Sequence, residues 1–259
     1  MRVFITGSTD GLGLNAAREL LRQGHQVVLN ARSAERAAVF DTLSGGVLGV
    51  AIGDLSSAVE TRSVADQVNQ IGRMDAIIHN AGIYLERDRG ETAEGHAKTL
   101  AVNVLAPYLL TGLIDRPARL IYVSSGMHLS GRASLGDIDW NKRSWSASQA
   151  YSESKLYVAT ITAAVACCWP EVLSNSVNPG WVPTKMGGSG APDDLAMGHQ
   201  TQTWLAVSDD TAAKVSGHYW FHKQQRPPAP SVTDPDFQGR LIDKLSEMTG
   251  TRLMSYRQR

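Results

Sequence analysis

The stretch Gln149–Tyr157, QAYSESKLY, sets Tyr151 four residues ahead of Lys155. Positions four apart on a helix share a face. A free phenol has a pKa of about 10. An ammonium beside it favours the phenolate and draws that value down, so the tyrosine could exchange a proton near neutral pH. The same spacing arises in helices where both side chains only pack. Two readings, packing and acid–base chemistry, stand open on this pair alone.

A second cluster lies near the N-terminus. ITGSTDGLG follows the apolar run RVFIT and opens an amphipathic stretch; its glycines are Gly7, Gly11 and Gly13. Backbone without β-carbons can approach a pyrophosphate, and a helix start adds unpaired N–H groups and a positive dipole end. The spacing is Gly-x-x-x-Gly-x-Gly, not the common Gly-x-Gly-x-x-Gly dinucleotide fingerprint. At the end of the next apolar run, VVLNARS has no acid to accept from an adenosine ribose 2′-hydroxyl. Arg32 offers a fork matched to a 2′-phosphate and Ser33 a further donor, which favours NADP over NAD. The bland alternative is a solvated arginine at a strand end. Asp54, in GDLSS, could accept from an adenine amino group or cap the following helix.

These residues need elements to position them. RVFIT, QVVLNA, GVLGVAIGD, MDAIIHNAG, ARLIYVSS and VLSNSVNPG read as strands. Between them LNAARELLRQG, SAERAAVFDTLSG, SSAVETRSVADQVNQIG, a long segment over about 94–114, and QAYSESKLYVATITAAVACCW read as helices. Such alternation predicts right-handed crossovers and one doubly wound α/β domain of Rossmann type over 1–259, its mostly parallel sheet covered on both faces. After Pro183, TKMGGSGAPDD predicts a mobile loop, DLAMGHQTQTWLAV a helix, SGHYWFHKQQRPPAP a late strand running into a turn, and DPDFQGRLIDKLSEMTG a helix with an Asp start and a Gly stop.

Composition bounds the function. The 259 residues carry 25 Lys plus Arg and 25 Asp plus Glu, so bulk charge points to neither nucleic acid nor a membrane surface. The arginines of the terminal YRQR read as a solvated tail. The two cysteines, Cys167 and Cys168, are adjacent and make neither a disulfide framework nor a metal site. No signal peptide or membrane span is legible, so a soluble, cytoplasmic protein is expected.

Taken together the motifs resemble the short-chain dehydrogenase/reductase family. TGSTDGLG resembles its phosphate turn, HNAG its strand-four motif, Asn103 in LAVNVLAPYLLT its helix asparagine, YVSSG its serine strand, YSESK its tyrosine–lysine pair and NPGWVPT its turn beneath the nicotinamide. The C-terminal part is similar to the retinol-dehydrogenase-like branch and its bacterial relatives. Ser125 and Tyr151 lie 26 positions apart, so 126–148 carries an insertion, and that branch has one of similar length. No apolar span of the kind that anchors many of those relatives is visible.

The resemblance implies an NADP-dependent carbonyl reductase or alcohol dehydrogenase acting on a small-molecule substrate. It implies Tyr151 as general acid/base, with Lys155 and the positive nicotinamide ring of the oxidised cofactor lowering its pKa. Lys155 would also reach the nicotinamide ribose. Asn103 would hold a water joined to Lys155, and Ser125 would bond the substrate oxygen, with Ser124 its rival. Cofactor contacts carry over onto Gly7, Thr9, Asp10, Gly11, Leu12, Gly13, Arg32, Ser33, Asp54, Leu55, Asn80, Ala81, Gly82, Pro179, Gly180, Val182 and Thr184. Asp10 argues mildly against NADP, because many NADP-preferring relatives carry a base near there. The stretch 185–205 would be a substrate lid. Trp140, Trp145, Trp181, Met186 and Trp204 could wall an apolar pocket or simply pack. The rival reading is a non-enzymatic NADP-sensing regulator on the same fold, although such sensors typically lose the tyrosine or lysine.

Overall fold

Alternating apolar and amphipathic segments wind into an eight-stranded sheet in the order β3-β2-β1-β4-β5-β6-β7-β8. The computed structural model describes residues 1–43, 45–84 and 87–253. The first half comprises β1 (Arg2–Ile5), α1 (Gly11–Arg22), β2 (Gln26–Ala31), α2 (Ala34–Ala37), β3 (Val47–Ile52), α3 (Ala58–Ile71) and β4 (Ala76–His79). The second comprises α4 (Lys98–Leu100), α5 (Ala106–Leu113), β5 (Arg119–Val123), α6 (Ala147–Cys168), β6 (Leu173–Asn178), α7 (Gln200–Val207), β7 (Tyr219–Phe221), β8 (Gln224–Arg226) and α8 (Pro235–Thr249). Strands β1 to β7 pair in parallel, and β8 adds an antiparallel edge.

Alternate strand residues face opposite layers, as the pleat requires. Phe4, Val28, Ile77, Leu120 and Tyr122 join the core under α3, α5, α6 and α8. Val3, Ile5, Val27, Leu29, Ile78 and Ile121 join the other core, with α1 and α7. Because β1 pairs with both β2 and β4, the chain reverses its winding beside β1. The strand ends open a crevice there, the usual ligand position in open α/β sheets. Among the described residues no helix is long and apolar enough to cross a membrane.

Several elements differ from the sequence expectation. The helix expected over 94–114 starts at Lys98, and residues Ala101–Leu105 form a π-helical turn around Asn103. The segment after Ser33 gives one short turn of α2 and then a 3-10 turn, Ala38–Thr42. The helix expected from Asp194 begins at Gln200. The expected late strand is a hairpin: His222 and Lys223 take φ of 48° and 59°, as a tight turn between β7 and β8 demands. Helix α8 matches its expected signals, with Asp234 accepting from the Asp236 N–H and Gly250 left-handed at φ 65°. The YRQR tail lies outside the described residues.

The 126–148 insertion is bolted to α6. Arg143 forks onto Glu153 at 2.8 and 2.6 Å, and the Glu153 side chain is 1 % exposed. Asp137 accepts the backbone N–H groups of Asn141, Lys142 and Arg143, closing the loop before the helix. Trp140 and Trp145 meet edge to face at 5.5 Å, with the Arg143 guanidinium 3.7 Å over the Trp140 ring.

Candidate active site

The glycine turn is shaped by close backbone approach. Gly7 has φ 63°, and a β-carbon there would lie 2.9 Å from the Ala81 Cα. A β-carbon on Gly13 would lie 2.4 Å from the Gly7 oxygen and 2.5 Å from the Asn80 amide nitrogen. Asn80 donates to the Thr6 and Gly7 carbonyls at 3.0 and 3.3 Å, tying the turn to the end of β4. Asp10 caps α1, its Oδ1 accepting from the Gly11 N–H at 2.8 Å.

A cleft of about 400 Å³ runs along these strand ends. Gly7, Thr9, Asp10, Gly11 and Leu12 line one wall; Arg32, Asp54, Leu55, Asn80, Ala81 and Gly82 follow; Tyr151, Lys155, Pro179 and Thr184 complete it. The structure thus gathers residues spread over most of the chain. A turn whose Gly7 and Gly11 lack β-carbons, with the N-terminus of α1 behind it, fits a dinucleotide pyrophosphate. Ser124 also lies in this lining, while Asn103, Ser125, Gly13, Ser33, Gly180 and Val182 stand outside it. Gly13 packs α1 against the sheet. Ser33 caps α2, accepting from the Arg36 N–H. Gly180, at φ 87°, lies where a β-carbon would touch the Asp193 carboxylate, and Val182 is buried. Asp54 accepts from the Ser56 N–H in its own turn, while Ser57 caps α3.

The two serines separate by partner. Ser124 is buried and donates to the Lys155 carbonyl at 2.9 Å. Ser125 lies beside the Tyr151 phenol and favours its ionisation, and its Oγ accepts from the Met127 N–H. Asn103 pins the chain after β4 to α6: it accepts from the Ile83 N–H at 2.8 Å and donates to the Ile83 carbonyl and the Ser154 hydroxyl, both at 3.0 Å. The π turn aims that amide inward, and π turns often mark functional positions.

Tyr151 and Lys155 share one face of α6, and the lysine Nζ lies 5.5 Å from the Tyr151 ring centre. Nζ donates to the Val123 carbonyl at 2.8 Å. Burial lowers Lys155 to about 8. Burial also pushes Tyr151 up to about 12, against the pull of Ser125. Desolvation sets the phenol's acidity, and the ammonium is turned toward a backbone carbonyl. Gly82 keeps this corner open, since a β-carbon there would sit 3.3 Å from Nζ and 3.5 Å from the Asn103 Oδ1.

Several cleft residues escaped the sequence reading. Arg36, in α2, lines the cleft with Arg32, which lies between β2 and that helix. Lys185 and Asn30 also line it, and Asn30 accepts from the Gly7 N–H. Tyr84 meets Tyr151 edge-on at 5.3 Å, and the Tyr151 hydroxyl points at the Met186 sulfur at 3.9 Å. Of the five aromatic and thioether candidates, only Met186 reaches the cleft. Trp140 and Trp145 pack on each other, Trp204 packs on Trp220, and Trp181 is 61 % exposed. The 185–205 stretch is irregular only as far as α7, where Leu205 is buried in the core.

The family model for short chain dehydrogenases matches residues 1–194. The chain belongs to the short-chain dehydrogenase family. It is 41% identical over 255 residues to the short-chain dehydrogenase chyC of Penicillium rubens, covering 97% of this chain and 98% of that one. Human retinol dehydrogenase 13 is 28% identical over 288 residues, covering 99% and 86%. Among solved structures, an uncharacterized protein from Mycobacterium paratuberculosis superposes with a TM-score of 0.84 at 26% identity, covering 98% of this chain and 94% of that chain. This short-chain dehydrogenase is therefore an oxidoreductase of a family that binds nicotinamide cofactors and acts on CH–OH groups.

Proposed function

We propose that this protein moves a hydride between NADP and a carbonyl or alcohol substrate, with Tyr151 as general acid/base. The observation that carries the reading is the meeting of Tyr151 and Lys155 with the glycine turn in one cleft. The bound dinucleotide supplies the hydride donor or acceptor. In the reducing direction the Tyr151 hydroxyl gives its proton to the substrate oxygen, and in the oxidising direction its oxygen takes one. Ser125, beside the phenol, orients the substrate oxygen. Lys155, held by the Val123 carbonyl, places an ammonium near the ring as charge develops on the phenol. Asn103 fixes the wall opposite by clamping Ile83 to α6.

Arg32 and Arg36 support the choice of NADP, because two guanidinium groups at one end of the cleft suit a 2′-phosphate. Two adjacent free cysteines fit a reducing compartment, and we assign the protein to the cytoplasm. The test is NADPH oxidation with a panel of aldehydes and ketones. Tyr151→Phe should cut turnover at least about 100-fold, the low end for a lost general acid, with NADPH still bound. Intact turnover would remove the tyrosine from the mechanism. Parent protein should bind NADPH more tightly than NADH, with Arg32→Ala erasing most of the gap; equal parental affinities would refute the cofactor assignment.

A further inference from the structure

The glycine turn of this chain carries an acid, Asp10, that lines the cleft with Arg32 and Arg36 and lies near enough to Arg36 to feel its charge. A carboxylate there would repel a 2′-phosphate. The structure answers with a residue 175 positions away: the Lys185 ammonium bonds Asp10 Oδ2, while Oδ1 caps α1. Both side chains line the cleft. The Lys185 bond is the chief reason that the Asp10 carboxyl lies below its ordinary value, and Arg36 adds to it, so the group is charged at neutral pH.

We propose that Lys185 is a cofactor-selectivity residue, which pairs with Asp10 and cancels a negative charge that would otherwise exclude a 2′-phosphate. The inference rests on the NADP reading above. Both dinucleotides carry the pyrophosphate, but NAD has a neutral ribose hydroxyl in place of the 2′-phosphate, so an unpaired Asp10 would penalise NADP more than NAD. Asp54, the other carboxylate in the lining, is engaged by the Ser56 N–H. Arg32 and Arg36 supply attraction, and Lys185 removes the opposing charge. Selectivity is set by both kinds of contribution.

Dissociation constants for NADPH and NADH, measured by calorimetry without substrate, test this in four proteins: parent, Lys185→Met, Asp10→Asn and the double variant. The Lys185 side chain is 83 % exposed, so its replacement should leave the fold intact, and a thermal melt checks that. Lys185→Met should weaken NADPH binding about tenfold, the scale of one unpaired charge acting over several ångström near the surface. NADH should change less than about twofold. The double variant should regain the parent's NADPH affinity, because the penalised carboxylate is gone. Equal losses for both cofactors, or no recovery in the double variant, would mean that Lys185 holds the dinucleotide directly and would overturn the proposal. A parent that prefers NADPH beside a Lys185→Met variant whose preference is undiminished would overturn this inference alone. A parent without preference would remove the NADP reading and this inference together.

Discussion

Replacing Lys155 by Met should stabilise the ligand-free protein at neutral pH while abolishing its activity. The Lys155 side chain is buried, its Nζ donates to one backbone carbonyl, and no carboxylate pairs with it among the described residues. Burial takes its pKa from 10.5 to about 8. Each tenfold in proton affinity is about 1.4 kcal/mol, so charging the folded site costs roughly 3 kcal/mol more than charging the unfolded chain. The folded value lies below the unfolded one. The cost is therefore fully present below pH 8 and is relieved as pH rises from about 8 to 10.5. Methionine removes it, but the Val123 carbonyl loses a donor, worth about 1 kcal/mol. A net gain of about 2 kcal/mol remains at pH 7. With about 2 cal/mol/K of unfolding entropy per residue, this lifts the melting temperature by about 4 °C. Thermal melts of both proteins from pH 7 to 10.5, without cofactor, read the difference directly. It should shrink through that range and change sign at its top, where only the lost hydrogen bond remains. A variant that melts below the parent at pH 7, or a gap independent of pH, would refute a buried, unpaired ammonium at this position.

Arg143→Met should strand the Glu153 carboxylate, which keeps only the Gln149 amide at 3.2 Å, and cost about 3 kcal/mol. A melting point lowered by about 6 °C would show this, and adding Glu153→Gln should restore part of it. Gly13→Ala would press a β-carbon to 2.4 Å from the Gly7 oxygen, so dinucleotide binding measured by calorimetry should be lost and the melting point should fall.

Much of the site was legible because it rests on local geometry. A glycine turn between a strand and a helix, and a Tyr–Lys pair one turn apart, are short-range patterns whose meaning depends on a few neighbouring φ and ψ values. Arg36 was not legible, because Arg32 lies before α2 and the two share no helix face. Other features depend on contacts that spacing does not encode. Both hydroxyls sit against α6, Ser124 on the Lys155 carbonyl and Ser125 beside the Tyr151 phenol, and of the two Ser124 lines the cleft, a distinction that spacing does not carry. The tryptophans of the insertion face Arg143 and each other, not the cleft, because the Arg143–Glu153 fork draws that loop onto α6. His222 and Lys223 take left-handed turn positions without glycine or asparagine to announce them, so a hairpin read as one strand.

The amino-acid order alone determined the winding of strands and helices, the glycine turn and the shared face of Tyr151 and Lys155. Each follows from hydrophobic period and backbone sterics over a few residues. Only the tertiary structure decided that Lys185 meets Asp10, that Lys155 turns to the Val123 carbonyl, and that burial raises the phenol's pKa. Desolvation and long-range pairing depend on what surrounds a group in space, and that environment exists only once distant segments have packed.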